Sequence, residues 1–121
     1  MNQQDEHEAP HILVVDDDPS VRFTVRGALE PAYRVMEASG GRDGLRAFFA
    51  ERPDLVILDR MMPGKEGLSV LQEMRNEDAT KKIPVIILSA RKEERDINES
   101  LKRGAQDYMV KPFIVDDLIN K

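Results

Sequence analysis

The sequence predicts a doubly wound α/β fold with a five-stranded parallel sheet in the order 2-1-3-4-5, and three observations carry that expectation. From His11 onward, apolar runs of strand length alternate with segments of helical period, five times over. The runs Ile12-Leu13-Val14-Val15, Leu55-Val56-Ile57-Leu58 and Val85-Ile86-Ile87-Leu88 are apolar on both faces, which suits the centre of a parallel sheet. Right-handed crossovers between such strands then favour the stated order, which reverses between strands one and three.

In chain order, residues Met1 to Pro10 are polar, acidic and aperiodic, so a loose tail is expected before a single domain spanning 11–121. After strand one, Asp18-Pro19 opens the first helix as cap and first-turn proline; Val21, Val25, Ala28 and Leu29 mark its core face, and Glu30-Pro31 closes it. The stretch Tyr33 to Ala38 is of mixed polarity and suits an edge strand. Leu45, Phe48 and Phe49 give the core face of helix two, which Arg52-Pro53 ends. After strand three, Pro63-Gly64 marks a turn, and Val70, Leu71 and Met74 supply the apolar stripe of helix three. Strand four follows, then a helical segment from Arg91 to Arg103 in which only Ile97 and Leu101 offer anchors among many charges. Tyr108-Met109-Val110 forms strand five, and Ile114 to Lys121 a short last helix.

The 121 residues suffice for one self-supporting core. There is no cysteine, which removes disulfides and thiolate metal sites from consideration. Apolar runs of only four or five residues, with no signal-peptide pattern at the amino terminus, point to a soluble, cytoplasmic protein without membrane contact. A net charge of -5 argues against direct nucleic-acid binding by this domain, because backbone affinity needs clustered Lys and Arg.

The chemistry gathers where the apolar runs end. In a parallel sheet those ends share one rim, so Asp16-Asp17, Asp59, Ser89 and Lys111 meet as one acidic pocket with a hydroxyl and an ammonium beside it. Close carboxylates repel by roughly 4 kcal/mol per pair at an effective dielectric near 20, so such a cluster calls for a cation. Carboxylate and carbonyl oxygens suit a hard ion such as Mg²⁺, with Mn²⁺ as the alternative, and leave coordination positions open for phosphate oxygens. Phosphoryl transfer needs alignment and charge neutralisation above all, and Asp59 can act as the nucleophile that forms a mixed anhydride. No Ser-His-Asp arrangement, glycine-rich phosphate cradle or His-Glu zinc motif competes.

At this point the chain resembles the receiver domain of two-component response regulators, the CheY-like receivers, over nearly all of His11 to Lys121. The likeness rests on Val14-Val15-Asp16-Asp17-Asp18, on Asp59-Arg60-Met61-Met62-Pro63-Gly64-Lys65-Glu66-Gly67, on Ser89-Ala90 and on Tyr108-Met109-Val110-Lys111-Pro112-Phe113. The spacing agrees as well, with Ser89 lying 30 residues after Asp59 and Lys111 lying 22 after Ser89. The resemblance implies a flavodoxin-like fold. Asp59 would accept a phosphoryl group from a sensor histidine kinase or a histidine phosphotransfer protein, with Mg²⁺ held by Asp16, Asp17, Asp59 and the Met61 carbonyl. It further implies that Ser89 turns toward the phosphoryl group, that Lys111 pairs with it, that Tyr108 follows inward, and that the Lys111-Pro112 peptide is cis. Met61 and Arg91 match positions that tune dephosphorylation. Helix four, strand five and helix five would form the output surface toward a downstream effector domain or protein, and phosphorylation-dependent homodimerisation through that face is a further expectation. Such a receiver is a regulatory phosphoacceptor and not a turnover enzyme. Two departures stand out: Arg60 places a cation beside the acceptor, and the last helix is short enough to suggest a receiver cut from a longer regulator.

Taken singly, each fragment has an ordinary reading. Asp16, Asp17 and Asp18 could cap a helix, Ser89 could serve a turn, Lys111 could be a solvated lysine and Tyr108 an edge-strand packing residue. Two rival functions remain open at this point. One is an aspartate-nucleophile phosphatase of the haloacid dehalogenase type, in which a second acid would stand where this chain has Met61. The other is a degenerate receiver that only mediates protein contacts.

Overall fold

Five parallel strands, β1 (His11–Val15), β2 (Arg34–Ala38), β3 (Leu55–Asp59), β4 (Val85–Ser89) and β5 (Asp107–Val110), lie in the order β2-β1-β3-β4-β5. The structure, a computed structural model, describes residues 9–62, 66–78 and 80–111. The expected Pro63-Gly64 turn, the Lys111-Pro112 peptide, the helix from Ile114 to Lys121 and most of the expected tail lie outside the described residues. Four helices join the strands: α1 (Pro19–Leu29), α2 (Gly41–Glu51), α3 (Gly67–Arg75) and α4 (Glu94–Lys102). This is the expected doubly wound, flavodoxin-like arrangement.

Alternation along the central strands feeds two cores. Leu13, Val15, Val56, Leu58, Val85 and Ile87 share one cluster with Phe48 of α2 and Val70, Leu71 and Met74 of α3. Ile12, Val14, Ile57, Ile86 and Leu88 point the other way and join Val25 and Leu29 of α1. Both faces of the sheet are therefore covered, which is why these runs carry no polar residue until they end.

Local chemistry explains the helix ends. The Asp18 side chain accepts from the Ser20 amide at 2.9 Å, with Pro19 filling the first turn, where an amide donor has no helical partner. Bonds from the Ser20 hydroxyl and amide hold the Asp18 carboxyl below its usual range. Helix α2 closes on Arg52 in the left-handed region (φ 48°), immediately before Pro53, which cannot continue a helix.

Two expectations about helix faces need correction. Phe48 is fully buried but Phe49 is 37% exposed, because Gly41, Gly44 and Phe48 turn toward the sheet and the next residue lies about 100° around the helix. Phe49 instead meets the Phe48 ring edge-on, with centroids 5.1 Å apart. In α4, Ile97 packs on the core while Leu101 is 41% exposed, and the buried residues are Asp96 and Ser100. A polar inner face is stable there because a buried cation from another element meets it, as described below.

Candidate functional site

The sheet topology brings the strand-end residues together as expected. β1 and β3 are neighbours, with Val15 opposite Leu58, so Asp16 and Asp59 emerge side by side. Asp59 faces Leu88 of β4, and Ser89 faces Val110 of β5. The Lys111 amide donates to the Ser89 carbonyl at 2.7 Å, which starts the lysine side chain from the same rim.

Oxygens of Asp16, Asp17 and Asp59 all lie within 4.8 Å of one another, with Asp16 and Asp59 buried and Asp17 exposed. Lys111 Nζ stands 2.9 Å from Asp16 Oδ2 and 3.6 Å from Asp59 Oδ1. Asp16 Oδ1 accepts from the Asp18 amide at 2.9 Å, and Asp59 Oδ1 accepts from the Met61 amide at 3.1 Å. Among the described residues no hydrogen bond reaches Asp59 Oδ2. Asp16 Oδ2 is buried without a well-aligned hydrogen bond, and the lysine charge stands 2.9 Å from it.

Charge and burial set the electrostatics. Burial first, then the neighbouring Asp16 carboxylate and, more weakly, Asp17 push the Asp59 carboxyl from 3.8 up to about 6, against the opposing pull of the Met61 amide and Lys111. Burial on its own would lower the Lys111 ammonium, but its contacts with the Asp16 and Asp59 carboxylates outweigh that and leave it raised. Three carboxylates thus share one cation, an arrangement short of positive charge. An all-oxygen donor set with a buried carboxylate oxygen that lacks an aligned hydrogen bond fits a hard divalent ion.

The remaining expected residues fall around this cluster. Ser89 is fully buried, and its Oγ accepts from the Arg91 amide at 3.1 Å, a bond that uses a lone pair and not the hydroxyl proton. The Tyr108 ring is already buried and its hydroxyl donates to the Arg91 carbonyl at 2.8 Å. Met61 and Arg91 have side chains open to solvent at the mouth. Arg60, the cation expected beside the acceptor, is 4% exposed, and among the described residues its hydrogen bonds all go to α4.

Two supporting residues were not among the expected site residues. Arg22 Nη1 donates to the Asp16 carbonyl at 2.7 Å, clamping the turn that aims the acids. Gly67 opens α3 so close to the acceptor strand that a Cβ there would stand 2.3 Å from the Asp59 carbonyl oxygen and 2.6 Å from Arg60 Cα.

Comparison with known proteins agrees with this fold. Residues 12–121 match the family described as "Response regulator receiver domain". The chain belongs to that family. The receiver is 38% identical over 104 residues to the transcriptional regulatory protein AfsQ1 of Streptomyces coelicolor, covering 85% of this chain and 45% of the relative. It is 42% identical over 107 residues to the transcriptional regulatory protein CseB of Streptomyces avermitilis, covering 88% of this chain and 44% of that protein. The chain therefore spans about half the length of the curated relatives it matches. Among solved structures, the receiver domain of the Francisella response regulator 1452 superposes with a TM-score of 0.85 at 34% identity, covering 92% of this chain and 91% of that one. Two-component signal transduction is thus the receiver's setting, and among the described residues no helix is long and apolar enough to cross a membrane.

Proposed function

We propose that this receiver is a phosphoacceptor switch in which Asp59 takes a phosphoryl group from the phosphohistidine of a sensor histidine kinase or histidine phosphotransfer protein. The observation that carries the reading is the meeting of the Asp16, Asp17 and Asp59 carboxylates within 4.8 Å, with the Lys111 ammonium against two of them. Asp16, Asp17, Asp59 and the Met61 carbonyl would hold Mg²⁺, or Mn²⁺ in its place. When bound, that ion offsets the carboxylate charge and offers positions to phosphoryl oxygens.

The chain's own groups divide the remaining work. Asp59 Oδ1 is occupied by the Met61 amide, which leaves Oδ2 as the nucleophile. Its lone pair forms the O–P bond as the N–P bond of phosphohistidine breaks, and the electron pair of that bond returns to the imidazole nitrogen. Lys111 pairs with the phosphoryl oxygens and the Ser89 hydroxyl donates its proton to one of them. Tyr108 reads the Ser89 loop through the Arg91 carbonyl, and the exposed side chains of Met61 and Arg91 govern water access and so the phosphoryl lifetime. The surface of α4 and β5, with the segment following Lys111, carries the signal to a downstream effector domain or protein in the cytoplasm, and pairs with a second copy upon phosphorylation.

Incubation with acetyl phosphate, with and without Mg²⁺, followed by intact mass tests the assignment. The expected result is a Mg²⁺-dependent gain of one phosphoryl group that Asp59→Asn abolishes. Continuous release of phosphate from assorted esters would mark a phosphatase instead, and no gain under any condition would mark a pure interaction module.

A further inference from the structure

Arg60 follows Asp59 in the chain, yet among the described residues the hydrogen bonds of its guanidinium all go to α4. Nη1 donates to the Asp96 carbonyl at 2.8 Å and lies 3.6 Å from the Asp96 carboxylate, while Nη2 donates to Glu99 Oε1 at 2.9 Å. Ser100 Oγ sits 3.5 Å from Nη1, and Glu66 Oε1 is 3.9 Å from Nε, which is buried without a hydrogen bond. Burying a guanidinium costs several kcal/mol unless partners compensate. Here most of the partners come from α4, whose buried residues are Asp96 and Ser100.

Both ends of this strut are fastened to the phosphoryl site. At the near end, Gly67 lies against Asp59 and Arg60, and its amide donates to the Arg60 carbonyl at 2.8 Å, so Arg60 cannot shift independently of the acceptor. At the far end, Asp96 also holds Arg91 Nη1 at 3.5 Å. Arg91 is the residue whose amide meets Ser89 Oγ and whose carbonyl meets the Tyr108 hydroxyl. A single polar path therefore runs from Asp59 through Arg60 and Asp96 to Arg91, and closes on Ser89 and Tyr108.

We propose that Arg60 is a positioning residue that couples the acceptor strand to α4 and to Tyr108. Helix α4 is tied to the acceptor strand by this cation as well as by Ile97, so a change at Asp59 reaches Tyr108 along two routes, Ser89 and Arg60. In Arg60→Met, which keeps the bulk and removes the charge, only the first route remains.

The inference rests on the phosphoacceptor reading for its main test, which is amide hydrogen exchange over residues 91–102 with and without beryllium fluoride and Mg²⁺, a stable mimic of an aspartyl phosphate. Wild type is expected to show a ligand-induced change in exchange there, and Arg60→Met to show that change at least halved while still binding the mimic. A merely structural role would alter the basal exchange and leave the induced change intact, and that result in a folded variant overturns the inference. Should Arg60→Met fail to fold, Glu99→Gln, at a half-exposed position, takes its place and is expected to reduce the induced change in the same direction; an unreduced change would again overturn it. If wild type ignores the mimic, the phosphoacceptor reading fails separately. The coupling is then decided by a double-mutant cycle of Arg60→Met (or Glu99→Gln) with Tyr108→Phe in thermal unfolding, where non-additive shifts support it and additive shifts overturn it.

Discussion

The Lys111 ammonium lies nearer to Asp16 than to the proposed acceptor, at 2.9 Å from Asp16 Oδ2 against 3.6 Å from Asp59 Oδ1. Without a metal it is therefore the counter-ion of Asp16, the acid whose Oδ2 is buried without an aligned hydrogen bond. Lys111→Met removes this charge while keeping most of the stem's contacts. The variant is expected to fold, to melt a few degrees lower without Mg²⁺, and to bind Mg²⁺ about fivefold more tightly. That factor corresponds to roughly 1 kcal/mol, the scale of the repulsion between one unit charge and a divalent ion some 6 Å away at a dielectric near that of water. Titration of both proteins with Mg²⁺ checks it, and equal affinities would place the ion away from Lys111.

Metal removal gives a second prediction. A ligand that binds only the folded form stabilises it by about 1.4 kcal/mol at ten times its dissociation constant. For a domain of this size that corresponds to a rise in Tm of about 3–6 °C. Millimolar Mg²⁺ is expected to produce such a rise and EDTA to reverse it, while Asp59→Asn should lose most of the effect. A Tm indifferent to Mg²⁺ and EDTA would remove the metal from the account.

The raised Asp59 carboxyl has a sign that can be checked. Its folded-state value is about 6 against an ordinary 3.8, so between those limits the folded chain binds more protons than the unfolded one. The stability contributed by proton uptake is fully present below about pH 4 and is lost as pH rises through 6. Without Mg²⁺, Asp59→Asn is therefore expected to be more stable than wild type at pH 7, by on the order of 2 kcal/mol, with the gap closing toward pH 4. Mg²⁺ affinity of the wild type should strengthen as pH rises through 6, because the ion competes with that proton. Urea titrations at several pH values, with and without Mg²⁺, measure both effects.

The parts of this molecule that could be read beforehand are those with local or topological causes. Asp18-Pro19 marks the start of α1 because a cap needs only its own next residues, and the three apolar runs mark the central strands because burial on both faces leaves no room for a polar side chain. Parallel order then brings Asp16, Asp59, Ser89 and Lys111 to one rim without any knowledge of contacts. The inner face of α4 escaped that reasoning. Asp96 and Ser100 look like solvent residues by polarity, and they are buried only because Arg60 arrives from 36 residues away in sequence. A hydrophobic pattern cannot report a buried ion pair whose two halves lie on different elements. The same blindness made Leu101 look like an anchor and Arg60 look like a neighbour of the phosphoryl group.

Glycine positions provide the last prediction, since two of them demand opposite outcomes from the same substitution. A Cβ on Gly67 would stand 2.3 Å from the Asp59 carbonyl oxygen and 2.6 Å from Arg60 Cα, contacts with backbone that no rotamer can relieve. Gly67→Ala must therefore push α3 away from the acceptor strand, at a cost of about 3 kcal/mol by the usual scale of overpacking, and it should slow acetyl phosphate labelling as Asp59 shifts. Gly27 in the last turn of α1 has nothing within 4 Å of its added Cβ. Gly27→Ala gains helix propensity at no steric cost and is expected to stabilise by up to about 1 kcal/mol with labelling unchanged. Urea midpoints and labelling rates for the pair decide the matter, and a Gly67→Ala protein as stable and as reactive as wild type would show that the tight joint between α3 and the acceptor strand does not exist in solution.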